Sequence, residues 1–461
     1  MMFRSVLILI WIAVVLPVSA AEPEALDVLR RTVDKCPLFD THEHLSPITD
    51  LQGRDKLDFR LLFEPYVVDT MRSAGMPMAL YEQAIQPGLE AKERFRLFAP
   101  YWEASRNTAA ARLAEIAARD LYGVPRIDVD SIQLLSRRMN KAYKQGDAIE
   151  KALKQAGIER VVLDMGSKPP PAGGRFLHAE RFEEFVHVHD YGHMQRMASA
   201  QGVKLGDLDD YLNALDKAFA GGLARRMVAV KSALGYHRPL DYRPASKVAA
   251  AQVFAMLKKH EDKDFPLKAV RPLQDFMMFH LLGLSQKHKL PVQIHTGLLT
   301  GSGKPVARSN PALLTGLFDR FPGVDFCLLH GSYPFGGQLA VVVKNHANAY
   351  LDLSWLLGLS PSYAARYLDE WLDLVPGNKI LAFGGDAIHV EWTYAQAGMM
   401  RELVFQVLSG RMRRGLLDLE QAQRLAKGLL RDNARAFFRV DGLLPLHRRP
   451  VPKLNAIKPA K

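Results

Sequence analysis

A parallel α/β fold of the TIM type, a (β/α)8 barrel with a long helical insertion after its first strand, is predicted by three observations. From residue 158 onward short apolar runs alternate with amphipathic helical stretches, and with the run at 38–44 they number eight. Five of the runs end on a residue able to bind a metal or move a proton. A doubly wound open sheet would show a glycine-rich first turn, and none follows the first run.

Taken in order, residues 1–20 read as a secretory signal peptide: Arg4, an apolar run from Val6 to Val18, and Val18-Ser19-Ala20 as a small-residue cleavage site before Ala21. That run is too short to span a bilayer comfortably, and no later segment is apolar enough to cross one. The mature chain is therefore expected to be soluble and exported, periplasmic if the source is Gram-negative. The first strand carries Asp40-Thr41-His42-Glu43-His44, in which His42 and His44, two residues apart, project to the same side.

Residues 46–157 form the insertion, rich in helix formers and aromatics. Its clearest helix is Ala109–Tyr122, with Leu113, Ile116, Ala117 and Leu121 at helical spacing, stopped by Gly123 and Pro125. An excursion of this kind between two strands reads as a lid or side layer at the mouth of a core. The remaining strands are expected at 158–165, 185–189, 227–231, 291–295, 324–330, 349–354 and 379–386. Helices are expected at 208–220, 275–288, 311–321, 360–374, 392–408 and 419–438. The barrel accounts for residues 21–440 and a basic tail for 441–461, with an irregular proline-rich stretch at 168–174.

A composition of 48% apolar and 24% charged residues excludes disordered and fibrous classes. The formal charge of +12 is scattered except in the tail; it would attract an anionic small-molecule substrate or an acidic membrane surface. No nucleic-acid motif is present. The two cysteines, Cys36 before the first strand and Cys327 inside a late one, should lie apart as free buried thiols. A homo-oligomer is compatible with the sequence, which does not specify one.

The ends of the strands carry the chemistry. His42 and His44 end the first, Lys231 the fourth, His295 the fifth, His330 the sixth and Asp386 the eighth, and in a barrel these ends converge on the active-site face. Singly, each has an ordinary reading: His295 and His330 as satisfied core histidines, Lys231 as a snorkelling base, Asp386 as a helix cap. Jointly, six ligand-type residues at one face outweigh those readings.

The set Asp40-Thr41-His42-Glu43-His44, Val230-Lys231-Ser232, Gln293-Ile294-His295-Thr296-Gly297, Leu329-His330-Gly331-Ser332-Tyr333-Pro334 and Gly384-Gly385-Asp386-Ala387 resembles the amidohydrolase superfamily of metal-dependent hydrolases. Asn433-Ala434-Arg435 is similar to the family's ending. Within it, the chain is most similar to the branch holding uronate isomerases, metal-dependent decarboxylases and barrels fused to a glutamine-synthetase-like domain; no such domain follows here. The long insertion, with Tyr101-Trp102 and Arg106-Asn107-Thr108, also looks like the fused group.

The resemblance implies that His42, His44, His295 and Asp386 bind one divalent metal, zinc by the chemistry of the donors. It implies that Asp386 takes a proton from the attacking water, and that His330 polarises the substrate oxygen or serves as a ligand. In binuclear members a carboxylated lysine at the place of Lys231 bridges two ions; alternatively Lys231 pairs with an anionic substrate. A single metal is the expectation. Trp102, Arg106, Arg238, Tyr236 and Arg308 lie in expected lid or strand-end loops and are candidates to clamp a substrate carboxylate. His187, His189 and His193 are expected near the mouth, without the carboxylates a second metal cluster would need.

The function expected is an exported metal-dependent hydrolase of an amide, lactone or ester. Two alternatives stay open: an isomerase or decarboxylase of the uronate isomerase type, and a non-catalytic binding protein with a structural metal. Against the last, structural zinc sites are closed by four fixed ligands, whereas this set leaves open positions.

Overall fold

The computed structural model describes residues 23–46, 57–86, 88–164, 174–261, 263–301 and 303–449. Residues 1–20, expected as a signal peptide, residues 168–173 of the proline-rich stretch, and the tail from 450 lie outside the described residues.

Eight strands form the frame: β1 Leu38–Glu43, β2 Ile158–Asp164, β3 Phe176–Arg181, β4 Met227–Ser232, β5 Val292–His295, β6 Phe326–Leu329, β7 Ala349–Asp352 and β8 Ile380–Leu381. They pair in that order and every pairing is parallel. The barrel is drawn shut past the end of β8, where Thr41 N–H donates to Phe383 O (3.0 Å), Asp386 N–H to His42 O (2.8 Å) and His44 N–H to Ala387 O (3.0 Å). Those bonds fix the chain so that the segments carrying His42, His44 and Asp386 lie side by side.

Strands this short stay in place because side chains on both of their faces are buried. Inside the barrel, Phe39, Val162, Ala229, Cys327, Tyr350 and Leu381 pack together, with Phe437 and Phe438 of the closing segment against them. Phe39 and Phe438 stack at 5.6 Å between ring centroids. The other faces meet the surrounding helices in a larger core. Cys36 and Cys327 are free and buried, as expected.

The insertion folds into helices, including Tyr66–Ser73, Ala91–Ser105, Ala109–Tyr122 and Ile132–Lys144, around a core of Phe59, Phe63, Phe95, Phe98 and Trp102. The same core takes in Ala387, Trp392 and Ala395 from the last long barrel helix, Val390–Arg413, and its N-terminal approach. Two polar ties lock the layers: Trp392 Nε1–H donates to Leu62 O at 2.9 Å, and buried Glu391 accepts from the hydroxyls of Tyr122 (2.5 Å) and Tyr143 (3.0 Å). Helix Ala109–Tyr122 ends where expected, on Gly123 in the left-handed region at φ 62°. No helix among the described residues is long and apolar enough to cross a membrane.

The structure corrects the sequence reading at several places. The third strand is Phe176–Arg181, and the segment expected as a strand at 185–189 starts inside a short helix, Glu183–Val186. Only Ile380 and Leu381 of the expected last strand join the ladder; Lys379 closes a 3₁₀ turn, and the rest, ending on Asp386 at φ 49°, is irregular. The expected helix at 311–321 begins as a 3₁₀ turn, and that at 419–438 is broken by a π turn, Gly428–Asp432. An unexpected helix, Pro23–Lys35, precedes β1.

Candidate metal centre and active site

The carboxyl ends of the strands open into a cavity of about 620 Å³ whose lining includes His44, Asp164, Arg181, Lys231, His295 and Asp386. At its floor the charges and imidazoles interlock. Asp386 Oδ1 lies 3.2 Å from His42 Nε2 and 3.1 Å from His44 Nε2, and Asp386 Oδ2 lies 3.9 Å from His330 Nδ1. Lys231 Nζ is 2.7 Å from His42 Nε2 and 3.6 Å from Asp164 Oδ2. His330 Nε2 stands 2.9 Å from His295 Nδ1, and His295 Nε2 is 2.8 Å from Leu298 O.

Local backbone explains how side chains from distant strands come together. His330 (φ 68°), Ser332 (47°), Trp355 (63°) and Asp386 (49°) all take the left-handed conformation that bulky residues avoid, and all sit just past β6, β7 or β8. Such strain persists only where the surroundings over-determine it, and it clusters at functional sites. At Asp386 the surroundings are Asp40 and Glu43. Asp40 Oδ1 accepts from Gly385 N–H (3.3 Å), Glu43 Oε2 accepts from Ala387 N–H (2.7 Å), and a Cβ at position 385 would overlap Glu43 Oε1. His330 is held through β7: Thr41 Oγ1–H donates to Asp352 (2.6 Å), Asp352 accepts from Ser354 N–H (2.7 Å), and Ser354 O lies 3.2 Å from His330 Nδ1. From the insertion, Tyr66 donates its hydroxyl to Asp386 O at 2.7 Å.

Burial decides the charge states. Burial and the Lys231 charge push His42 down to about 4, and burial and Lys231 push His295 down to about 3. Burial and His295 hold His330 well below the ordinary imidazole value. His44 is the exception: burial lowers it, but the carboxylates of Asp386 and Asp164 outweigh that and raise it. Burial likewise pushes the Asp386 carboxyl up, but His330, His42 and His44 hold it well below the usual carboxylate range. Asp164 is held low in the same way by His44, Lys231 and Arg181. Burial also depresses Lys231.

Neutral imidazoles beside ionised carboxylates are the donor set a divalent cation takes. Among the described residues, two three-residue groups have their donor atoms within 4.8 Å of one another: His42, His330 and Asp386, and His42, His44 and Asp164. The residues fit such an ion. His295 belongs to neither group and reaches them through His330, with ring centroids 4.3 Å apart.

Of the expected substrate clamps, the structure brings only Tyr236 to the cavity. Trp102 is fully buried and donates its indole N–H to Ile127 O. Arg106 pairs with Glu115 (2.6 Å) and Glu103 in the insertion. Arg238 is buried against Asp275 (2.5 Å) and stacks on Tyr242. Each of these three is occupied elsewhere, and none lines the cavity. Arg308 sits in a 3₁₀ turn, also away from the lining. His187 and His189 contact each other at 2.9 Å, and His187 stacks on His237, which lines the mouth.

Sequence reasoning missed Asp164, Arg181, Glu183, Tyr66 and Trp355, all of which line the cavity. Asp164 was findable, since it ends the apolar run Val161-Val162-Leu163 as the other candidates end theirs. Its carboxylate accepts three contacts from Arg181, at 2.6, 2.8 and 3.0 Å.

Residues 257–440 match the amidohydrolase family, Amidohydro_2. Over 224 residues the chain is 27% identical to Protein fluG of Emericella nidulans, which is 47% of this chain and 26% of that protein, so the match spans about a quarter of that relative. In fold it is similar to uronate isomerase from Thermotoga maritima, with a TM-score of 0.75 and 16% identity over 90% of this chain and 97% of that one. It is equally similar to glucuronate isomerase from Caulobacter crescentus, with a TM-score of 0.75 and 18% identity over 94% and 98% of the two chains.

Proposed function

We propose that this chain, of which residues 257–440 match the amidohydrolase family, is a member of the amidohydrolase superfamily and an exported metal-dependent hydrolase of an amide, lactone or ester bond. The observation that carries the reading is the meeting of His42 and His330 with Asp386, and of His42 and His44 with Asp164, behind a cavity that His44, Asp164 and Asp386 line, with Asp386 ionised among imidazoles held mostly neutral. His42, His44 and Asp386 would hold the ion, with Asp164, His330 or His295 completing the set. When bound, a divalent cation such as zinc supplies Lewis acidity, lowering the pKa of water and polarising an oxygen.

The chain's own residues do the rest. Asp386 Oδ1 faces His42 and His44, which leaves Oδ2 as the atom to accept a proton from the attacking water and return it to the leaving group. His330, fixed by Asp352 through Ser354, is set to polarise the carbonyl oxygen of the substrate. Tyr66, bonded to the Asp386 carbonyl, ties the insertion to the reacting end and shields it from water. Lys231 has two uses: carboxylated, it would bridge a second ion; as an amine beside Asp164, it would pair with an anionic group of the substrate.

Likeness in fold to two uronate isomerases favours an isomerase as the second reading. The test is turnover by the zinc-loaded protein on panels of lactones, amides, esters and uronates. Hydrolysis of a member of the first three sets is expected, and turnover of uronates alone would reject the hydrolase. Export is tested by the amino terminus of the protein recovered outside the cytoplasm, expected at Ala21; recovery only inside the cell with Met1 retained would reject it.

A further inference from the structure

We propose that the substrate is bipartite, a hydrolysable head at the metal centre joined to an apolar acyl chain that lies in a second compartment beside it. This rests on the reading of the centre given above and adds the chemical class of the substrate.

A second cavity of about 800 Å³ adjoins the first and shares Tyr66, Asp69, Thr300 and Trp355 with it. Beyond those common walls its lining includes Met76, Met78, Leu298, Leu299 and Leu359, apolar side chains among which the two methionines adapt to ligand shape, with Thr70 and Ser73 as its neutral polar members. Its charged residues, Asp69 and Arg72, pair with each other at 3.4 Å. A compartment of that size is in the range that takes a drug-sized ligand, and its lining offers a chain chiefly dispersion and desolvation. A uronate carries a hydroxyl or carboxyl on nearly every carbon and gains nothing from it.

The junction between the two is built deliberately. Trp355, 2% exposed, forms part of both walls, and its backbone is held at φ 63° by a bond from its N–H to Gly384 O. Its ring centroid lies 5.0 Å from that of Tyr66 and 5.5 Å from that of His330. One strained residue thus touches both the group set to polarise a carbonyl and the wall of the apolar compartment. A substrate whose reacting bond sits beside Asp386 in the first cavity has its acyl chain directed past Trp355 along that wall.

Binding of acetohydroxamate and octanohydroxamate to the zinc-loaded full chain, measured by isothermal titration calorimetry, tests this. The longer chain should bind about 100-fold more tightly. Leu298→Asp and, separately, Leu359→Asp, both at half-buried positions of the second compartment, should cut that ratio below about tenfold. Equal affinities for the two hydroxamates in the unsubstituted protein overturn the proposal while leaving the metal centre standing, as does a ratio that both folded variants preserve. If neither hydroxamate binds, the metal-centred reading falls and the proposal with it.

Discussion

At the scale of single residues, Asp386 and His330 carry most of the proposed chemistry. Asp386→Asn keeps the shape but cannot take a proton, and His330→Ala removes the group set against the substrate oxygen. Each should lower kcat on any substrate found by at least about a hundredfold. Unchanged turnover in either variant would remove the role given to that residue. Gly385 is a quieter test of how the site is assembled. A methyl there meets Glu43, so Gly385→Ala should force apart the segment that carries Asp386 and cost about 2 kcal/mol of stability. Urea denaturation measures that loss, and a variant as stable as the parent would show that Glu43 does not fix this turn.

Most of these residues were legible in the sequence because each ends an apolar run, a pattern that backbone geometry converts into a common face. Trp355 was not, since nothing in its residue type points to a site; only its left-handed backbone does. The basic and aromatic clamps misled for a related reason. An arginine's partner is set by packing, and Arg238 found Asp275 on a helix while Arg106 found Glu115.

At the scale of elements, helix Val390–Arg413 joins barrel and insertion through Glu391. Burial raises the Glu391 carboxyl above its ordinary value of 4.5, against the hydrogen bonds from Tyr122 and Tyr143 that lower it. A raised value in the folded state means that its contribution is present below pH about 4.5 and is lost as pH rises through the folded value. Melting temperatures of the parent and Glu391→Gln, followed from acid to neutral pH, should therefore diverge in favour of the variant as pH rises. A constant difference would show that Glu391 does not titrate between the folded and unfolded states. In the core of the insertion, Trp102→Ala should cost about 3–5 kcal/mol, because a fully buried indole leaves a cavity.

The element read wrongly from sequence was β3, and its chemistry explains why. His178 and Glu180 are both buried, 3.7 Å apart, and Glu180 pairs with Arg225, so a strand of the barrel carries polar residues where an apolar run is expected. The helix Pro23–Lys35 and the abbreviated β8 were equally hidden. The first owes its place to tertiary packing of Leu29 and Val33, and the second to the bonds that Phe383 O accepts from Thr41 N–H and that Ala382 N–H donates to Leu429 O, which hold the chain outside the ladder.

At the scale of the whole molecule, the closing segment seals the end of the barrel opposite the cavity. Asp325, at the start of β6 and fully buried, accepts from Arg439, His447 and Arg448, each at 2.9 Å. Burial pushes this carboxyl up, but His447 and Arg448 hold it below its ordinary 3.8. Its contribution is then present above pH about 3.8 and lost as pH falls through the lower folded value. Asp325→Asn should cost about 3 kcal/mol at neutral pH, with the difference from the parent closing in acid. Equal stabilities at pH 7 would show that the clamp does not hold the segment.

The claim on which the rest depends is that strand ends far apart in sequence meet to hold a divalent cation. Metal content of the purified full chain by inductively coupled plasma mass spectrometry tests it most directly. One equivalent of a divalent transition metal per chain is expected, lost in His42→Ala; two equivalents would select the carboxylated form of Lys231. A folded protein that retains no stoichiometric metal after reconstitution would contradict it.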